Sequence, residues 1–216
     1  MIYFFADDHY KVHPGLNIHQ HLEKTAEIKF AENDWSIMES PGGLKDCSLL
    51  ILNMIADTCG NPLPNAEAEK NIKAYCERGG NLLLLHGSSA AFWHWSWWRQ
   101  IVGLRWVRGN DPDGIPASTH PTRPYKVEVA KTRHPLCAKL QAMDLPADEI
   151  YINLEQVRPI WTIMTTDTEE GTFPQVYETR TPWGGRIIGV IPGHAPAVTT
   201  HPTLIANLNT IIEDLQ

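Results

Sequence analysis

The sequence predicts an α/β fold in three layers, with helices on both faces of a mainly parallel central sheet. Three observations predict it. Short unbroken apolar runs, such as Cys47–Met54 (CSLLILNM), have the composition of strands buried on both faces. In the first half such runs alternate with stretches of helical spacing, which implies right-handed βαβ crossovers. The 216 residues are 43% hydrophobic, enough for one sizeable core. No repeat or linker divides them, so residues 1–216 read as a single domain.

The elements follow in order. Ile2–Ala6 reads as a first strand, Leu16–Ala26 as a helix, Glu27–Ala31 as a second strand and Cys47–Met54 as a third. Asn65–Arg78 has helical spacing, and Gly79-Gly80 stops it. Asn81–Leu85 is another buried strand that ends abruptly at His86-Gly87-Ser88-Ser89. Ser88 or Ser89 is placed to cap a following helix, which would hold the tryptophan cluster and run to about Val102. Gly109–Pro124, rich in Gly, Pro and Asp, reads as a long loop. The second half favours strands at Tyr125–Ala130, Glu149–Leu154, Ile160–Thr165, Gln175–Thr179 and Arg186–Ile191, before a last helix over Thr203–Leu215.

Composition narrows the function. A formal charge of -7 and no Lys/Arg cluster argue against nucleic acid as partner. The opening segment lacks a basic flank and is too short in its apolar run to span a membrane, so a cytoplasmic location is expected, with no membrane partner. Cys47, Cys59, Cys76 and Cys137 form no CxxC pair and read as free thiols. Ten histidines and eight tryptophans are many for this length. Four tryptophans fall between Trp93 and Trp98, where packing is the commoner role and stacking on a sugar the alternative.

In open parallel sheets ligands bind beyond the carboxyl ends of the strands. That rule selects Asp7, Asp8, His9 and His13 after the first strand, His86 after the central one, and Gly193-His194 after the last.

The chain resembles the ThuA-like (trehalose-utilisation) family. The likeness rests on Gly79-Gly80 through Leu85-His86, Phe92-Trp93, Gly103, His120-Pro121, His134-Pro135-Leu136, Asp148-Glu149-Ile150-Tyr151, and Gly184-Gly185-Arg186 through Pro192-Gly193-His194, in family order. The resemblance implies a flavodoxin-like, class I glutamine amidotransferase-like sandwich without the nucleophilic cysteine. It also implies a small-molecule carbohydrate as ligand and a functional link to an oxidoreductase that makes 3-keto sugars. A homo-oligomer is a further expectation.

The amidotransferase relatives carry their cysteine on a strand–turn–helix elbow, where this chain has His86. None of the four cysteines has a base neighbour on a turn, which removes thiolate chemistry. A G-x-S-x-G elbow is absent, so Ser88 and Ser89 read as caps rather than nucleophiles. There remain His86, His120, Glu149 and His194 as expected acid–base residues, with Trp93, His13, Tyr151 and Asp8 as expected sugar contacts. His9, His120, His194 and Glu149 form the expected ligand set if a divalent metal, zinc or manganese, assists. His134 reads as a turn or helix-start residue and Arg186 as an ion-pair partner. Two function classes follow: a lyase, hydrolase or isomerase acting on a keto-sugar or disaccharide, or a non-catalytic carbohydrate-binding or regulatory domain with the same fold.

Overall fold

A computed structural model of the chain describes residues 1–23, 28–55, 60–109, 111 and 114–216. The chain alternates strand and helix through its first half: β1 (Ile2–Ala6), α1 (Pro14–His21), β2 (Ile28–Glu32), α2 (Ser36–Glu39), β3 (Leu49–Asn53), α3 (Ala66–Glu77) and β4 (Asn81–Leu85). A 3-10 turn over His86–Ala90 leads to α4 (Ser96–Ile101) and β5 (Leu104–Arg105). Then come β6 (Thr122–Val129), β7 (Met143–Glu149), β8 (Glu155–Gln156), β9 (Trp161–Thr168), β10 (Gly171–Arg180) and β11 (Arg186–Val190), closed by α5 (Pro196–Thr199) and α6 (Pro202–Leu215).

Nine strands form one sheet in the order β2-β1-β3-β4-β11-β10-β9-β6-β7. The first five are mutually parallel, and their order matches the 2-1-3-4-5 arrangement of flavodoxin-like sheets. From β11 outward every pairing is antiparallel. The sheet is therefore mixed: its five-stranded core is parallel as expected, and the antiparallel wing is added to it. The physical reason lies in the connections. Helical crossovers join the parallel strands, whereas short turns such as Glu169–Glu170 and Thr181–Gly185 join β9 to β10 and β10 to β11, and a short turn can only reverse the chain.

Strand alternation sorts side chains to two faces. Ile2, Phe4, Leu49, Ile51, Leu83 and Ile188 pack with Ile18 of α1 and Leu204, Leu208 and Ile211 of α6. Tyr3, Phe5, Leu50, Leu52, Leu82 and Leu84 pack on the other side with Met38, Ile72, Tyr75 and Trp98. Each wholly buried Leu, Ile or Phe contributes roughly 1.5–3 kcal/mol. In the antiparallel wing Tyr125, Val127, Met143, Leu145 and Ile163 all join the first face, leaving alternate residues of β6 in solvent.

Several boundaries move. Helix α1 ends at His21; the expected continuation to Ala26 and the start of the second strand at Glu27 fall on 24–27, outside the described residues. Cys59 lies outside them as well, as do 110 and 112–113 of the expected long loop. Glu149 ends a strand instead of beginning one, since β7 starts at Met143. The tryptophan-rich stretch is not one helix from Ser88: a 3-10 turn and further turns precede the short α4. Ser88 does not cap it. Its wholly buried Oγ accepts from Met54 N–H at 3.0 Å and lies 2.8 and 2.7 Å from the Leu52 and Leu85 carbonyls, so it ties β3 to β4.

Candidate active site

The carboxyl ends of the parallel strands β1, β4 and β11 and of the antiparallel strand β7 deliver one polar side chain each to a common point. His9 follows β1 in a run of left-handed residues, His9 (φ 47°), Tyr10 (φ 58°) and Lys11 (φ 66°). Side chains adopt that region at a cost, and such positions gather at functional sites. Buried Asp7 anchors the loop, accepting Ile55 N–H and lying 3.5 Å from His9 Nδ1.

His86 occupies the sharp turn after β4, also left-handed (φ 50°). Gly87 lets the turn close against Ile55, because a Cβ there would meet Ile55 Cγ2 at 2.1 Å. The His86 ring is 0% exposed, yet its nitrogens have polar neighbours. Nδ1 lies 2.9 Å from the Ile191 carbonyl, which only accepts, so Nδ1 carries a proton. Nε2 lies 2.9 Å from Tyr151 Oη and 3.3 Å from Glu149 Oε2.

Glu149, at the end of β7, is where the histidines meet. Its carboxylate is 3.3 Å from His86 Nε2, 3.2 Å from His120 Nδ1 and 3.9 Å from His194 Nδ1. Burial by itself raises its pKa, but the His86 ring nitrogen beside it and the positive charge that His86, His194 and His120 carry when protonated outweigh it and bring it to about 2. His194 is shifted down, by burial first and then by His86 and His9, against the pull of Glu149. Tyr151 is raised well above the usual phenol value by burial and the nearby carboxylates, so it remains a donor.

Adjacent residues of a strand point to opposite faces, so Asp148 turns away from Glu149 into the protein. Wholly buried, it accepts Gly193 N–H at 2.8 Å, His194 N–H at 3.1 Å and Ala195 N–H at 2.7 Å. The loop after β11 is thereby fixed, with Gly193 at φ 128°, a conformation side chains rarely adopt.

The cleft above measures about 330 Å³, at the small end of ligand pockets. Glu149, His194, His120 and Tyr151 line it together with His9, Tyr10, Trp106 and Arg108. His86 lies just behind this wall and reaches the cleft through Tyr151 and Glu149. Trp93 does not line it; its ring lies under the Arg108 guanidinium, 4.8 Å away. His13 and Asp8 are not brought in either. His13 Nδ1 pairs with Glu32 Oε2 at 2.8 Å, and Asp8 N–H donates to Asn33 Oδ1.

Sequence reasoning missed Trp106, Arg108, Tyr10 and the role of Asp148. Trp106 packs 4.5 Å from the Tyr151 ring and 5.5 Å from His120. Asp148 lay inside a quoted motif, but its use depends on amides 45–47 residues away. His134 caps the 3-10 turn at Pro135–Ala138, and Arg186 pairs with Glu178 and Asp214. Cys47 and Cys76 are buried thiols pushed up to about 11 and about 12 by burial, the reverse of an activated nucleophile.

Among solved structures, a ThuA-like protein of Parabacteroides merdae matches at TM-score 0.76 and 17% identity, over 97% of this chain and 87% of that one. A ThuA-like protein of Bacteroides uniformis matches at TM-score 0.72 and 16% identity, over 100% and 91%. The cytoplasmic protein STM3548 of Salmonella typhimurium follows at TM-score 0.66 and 13% identity, over 98% of each. These likenesses show the fold. No curated protein matches the chain. No helix among the described residues is long and apolar enough to cross a membrane. The family model for ThuA, described as trehalose utilisation, matches residues 4–210, and the chain belongs to that family.

Proposed function

We propose that this protein acts in carbohydrate catabolism, cleaving or rearranging a sugar or 3-keto-glycoside by acid–base chemistry at Glu149 and its histidines. One observation carries the reading: a single carboxylate at the cleft wall lies within 3.9 Å of three imidazoles drawn from three different elements. Such a constellation exchanges protons. In a 3-keto-glycoside the carbonyl acidifies the neighbouring C2–H. Removing that proton and expelling the glycosidic oxygen from C1 breaks the bond, provided an acid protonates the leaving oxygen. His194, held toward its neutral form, is suited to accept the proton. Glu149, ionised at neutral pH, stabilises the imidazolium that results. The exposed His120 is placed to serve the leaving group.

The same reading takes the fold as class I amidotransferase-like, with strained His86 standing at the elbow in place of a cysteine. It sets the protein in the cytoplasm, in keeping with the free thiols, and next to an oxidoreductase that supplies the keto-sugar. The test compares wild type with Glu149→Gln on a 3-keto-glycoside. Turnover should fall by roughly 10²–10⁴-fold with an unchanged circular dichroism spectrum. Full activity in the variant would overturn the acid–base role. Sugar binding without any turnover by the wild type would leave the non-catalytic reading in its place.

A further inference from the structure

We infer that His9, His86 and His194 form a binding site for a divalent transition-metal ion, zinc before manganese, with Glu149 closing it from the cleft. One ring nitrogen of each histidine lies within 4.8 Å of the others. Imidazole nitrogens bound to zinc at ~2.0–2.1 Å stand about 3.4 Å apart at tetrahedral angles, so drawing the three rings in from 4.8 Å takes a shift of only about 0.8 Å each. Glu149 Oε2 lies 3.3 Å from the His86 ring nitrogen and 3.9 Å from that of His194, and Glu149 faces the cleft. Three imidazoles and one carboxylate suit zinc, whereas manganese prefers oxygen donors.

Beyond proximity, the His86 ring is oriented as a ligand is oriented, His9 faces a buried carboxylate, and His194 is fixed through its backbone. Metal-binding histidines pass their second N–H to a carbonyl or carboxylate, which fixes the ring and leaves the other nitrogen free to bind. His86 Nδ1 does so to the Ile191 carbonyl, leaving Nε2 on the cluster side, where a bound ion would take the place of the 2.9 Å contact from Tyr151 Oη. His9 Nδ1 faces Asp7 Oδ1, a carboxylate that is 0% exposed. His194 is fixed through its backbone by Asp148, and its buried Nδ1 has no hydrogen-bond partner among the described residues. Positive φ at both His9 and His86 shows that the backbone is bent to bring these rings together. His120, half exposed and 3.2 Å from the other carboxylate oxygen, stays outside the set, which changes the ligand group expected from the sequence.

This inference concerns the pocket of the proposed function, but the binding itself does not depend on that reading. The experiment treats the whole chain with a chelator and titrates it with zinc, then with manganese, by calorimetry. Cobalt then reports geometry through its visible spectrum. Wild type should take up one equivalent of zinc at least tenfold more tightly than manganese and give a tetrahedral cobalt spectrum. His9→Ala and His194→Ala should lose stoichiometric binding, and Asp7→Asn should weaken it by about 10–100-fold. His21→Ala, at an exposed position at the end of α1, should bind as wild type does. Circular dichroism identifies any variant that fails to fold, and His9→Gln then replaces it. Absence of stoichiometric zinc binding by wild type, or binding that survives loss of both His9 and His194, overturns the site. Zinc binding without turnover counts against the proposed reaction alone, and turnover without zinc binding counts against the metal site alone.

Discussion

Glu149 carries a consequence for acid stability with a definite sign. Its carboxyl is held at about 2 against an ordinary 4.5. A depressed carboxyl contributes stability that is complete above its unfolded pKa and is lost as pH falls toward the folded one. The stabilisation is on the order of 3 kcal/mol and should disappear between about pH 4.5 and 2. His194, shifted down from 6.5, acts in the same direction at higher pH: stability is complete above 6.5 and begins to fall below it. Melting temperatures against pH should show wild type and Glu149→Gln drawing together as pH falls from about 4.5 and meeting near pH 2. A constant offset across that range would show that the carboxylate is not held by its histidines. Asp148→Asn should cost more structurally, about 3 kcal/mol in urea denaturation, because one amide oxygen cannot replace two carboxylate oxygens facing three buried N–H groups. At this scale the sequence made Glu149 and its histidines legible through loop position and motif. Trp106 and Arg108 were not legible, since nothing local distinguishes them from packing and surface residues.

Among the elements, the segment between β4 and α4 is where local signals conflict most with the structure. Ser88 has an ideal cap chemistry, but a 0% exposed hydroxyl between two strands is worth more as a tie than as a helix start. Four tryptophans at short spacing suggested one amphipathic helix; instead Phe92, Trp95, Trp97 and Trp98 stack on one another and let turns replace the helix. Two substitutions separate the indoles. Trp106→Ala should weaken sugar binding directly, whereas Trp93→Ala should act only by loosening Arg108, with the smaller effect in a titration of the same sugar. Gly87→Ala should destabilise by roughly 1–3 kcal/mol, since its Cβ would lie 2.1 Å from Ile55 Cγ2 and 3.3 Å from Tyr151 Oη. Equal melting curves for Gly87→Ala and wild type would mean that the turn has slack.

For the whole molecule, the parallel half was legible because burial on both faces leaves continuous apolar runs, and Asn81–Leu85 matches its expected bounds. The antiparallel wing was legible as strands but not as pairings. One-sided burial gives alternation without saying which strand lies next to which, and β6 pairs with β9 across a long stretch of chain. The core is shared by both halves, so a deep truncation should be felt throughout. Leu83→Ala, at 0% exposure in the central strand, should cost about 2–5 kcal/mol, while Trp161→Ala, at 50% exposure, should change urea stability by less than about 0.5 kcal/mol.

The clamp made by Asp148 also has a bearing on biosynthesis. The ribosome adds this aspartate 45 residues before Gly193 and 47 before Ala195. Until those amides emerge, the carboxylate at the end of β7 has no donors to accept from and must keep its hydration. Burying it early would leave a charge unpaired. β6 and the edge strand β7 can therefore hydrogen-bond to each other on the nascent chain, but the end of β7 stays open until β11 has been translated and slotted in beside β4. The site cannot be completed before residues 193–195 have emerged, and a product truncated before residue 193 would carry Glu149 and His86 without His194 or the amides that hold it.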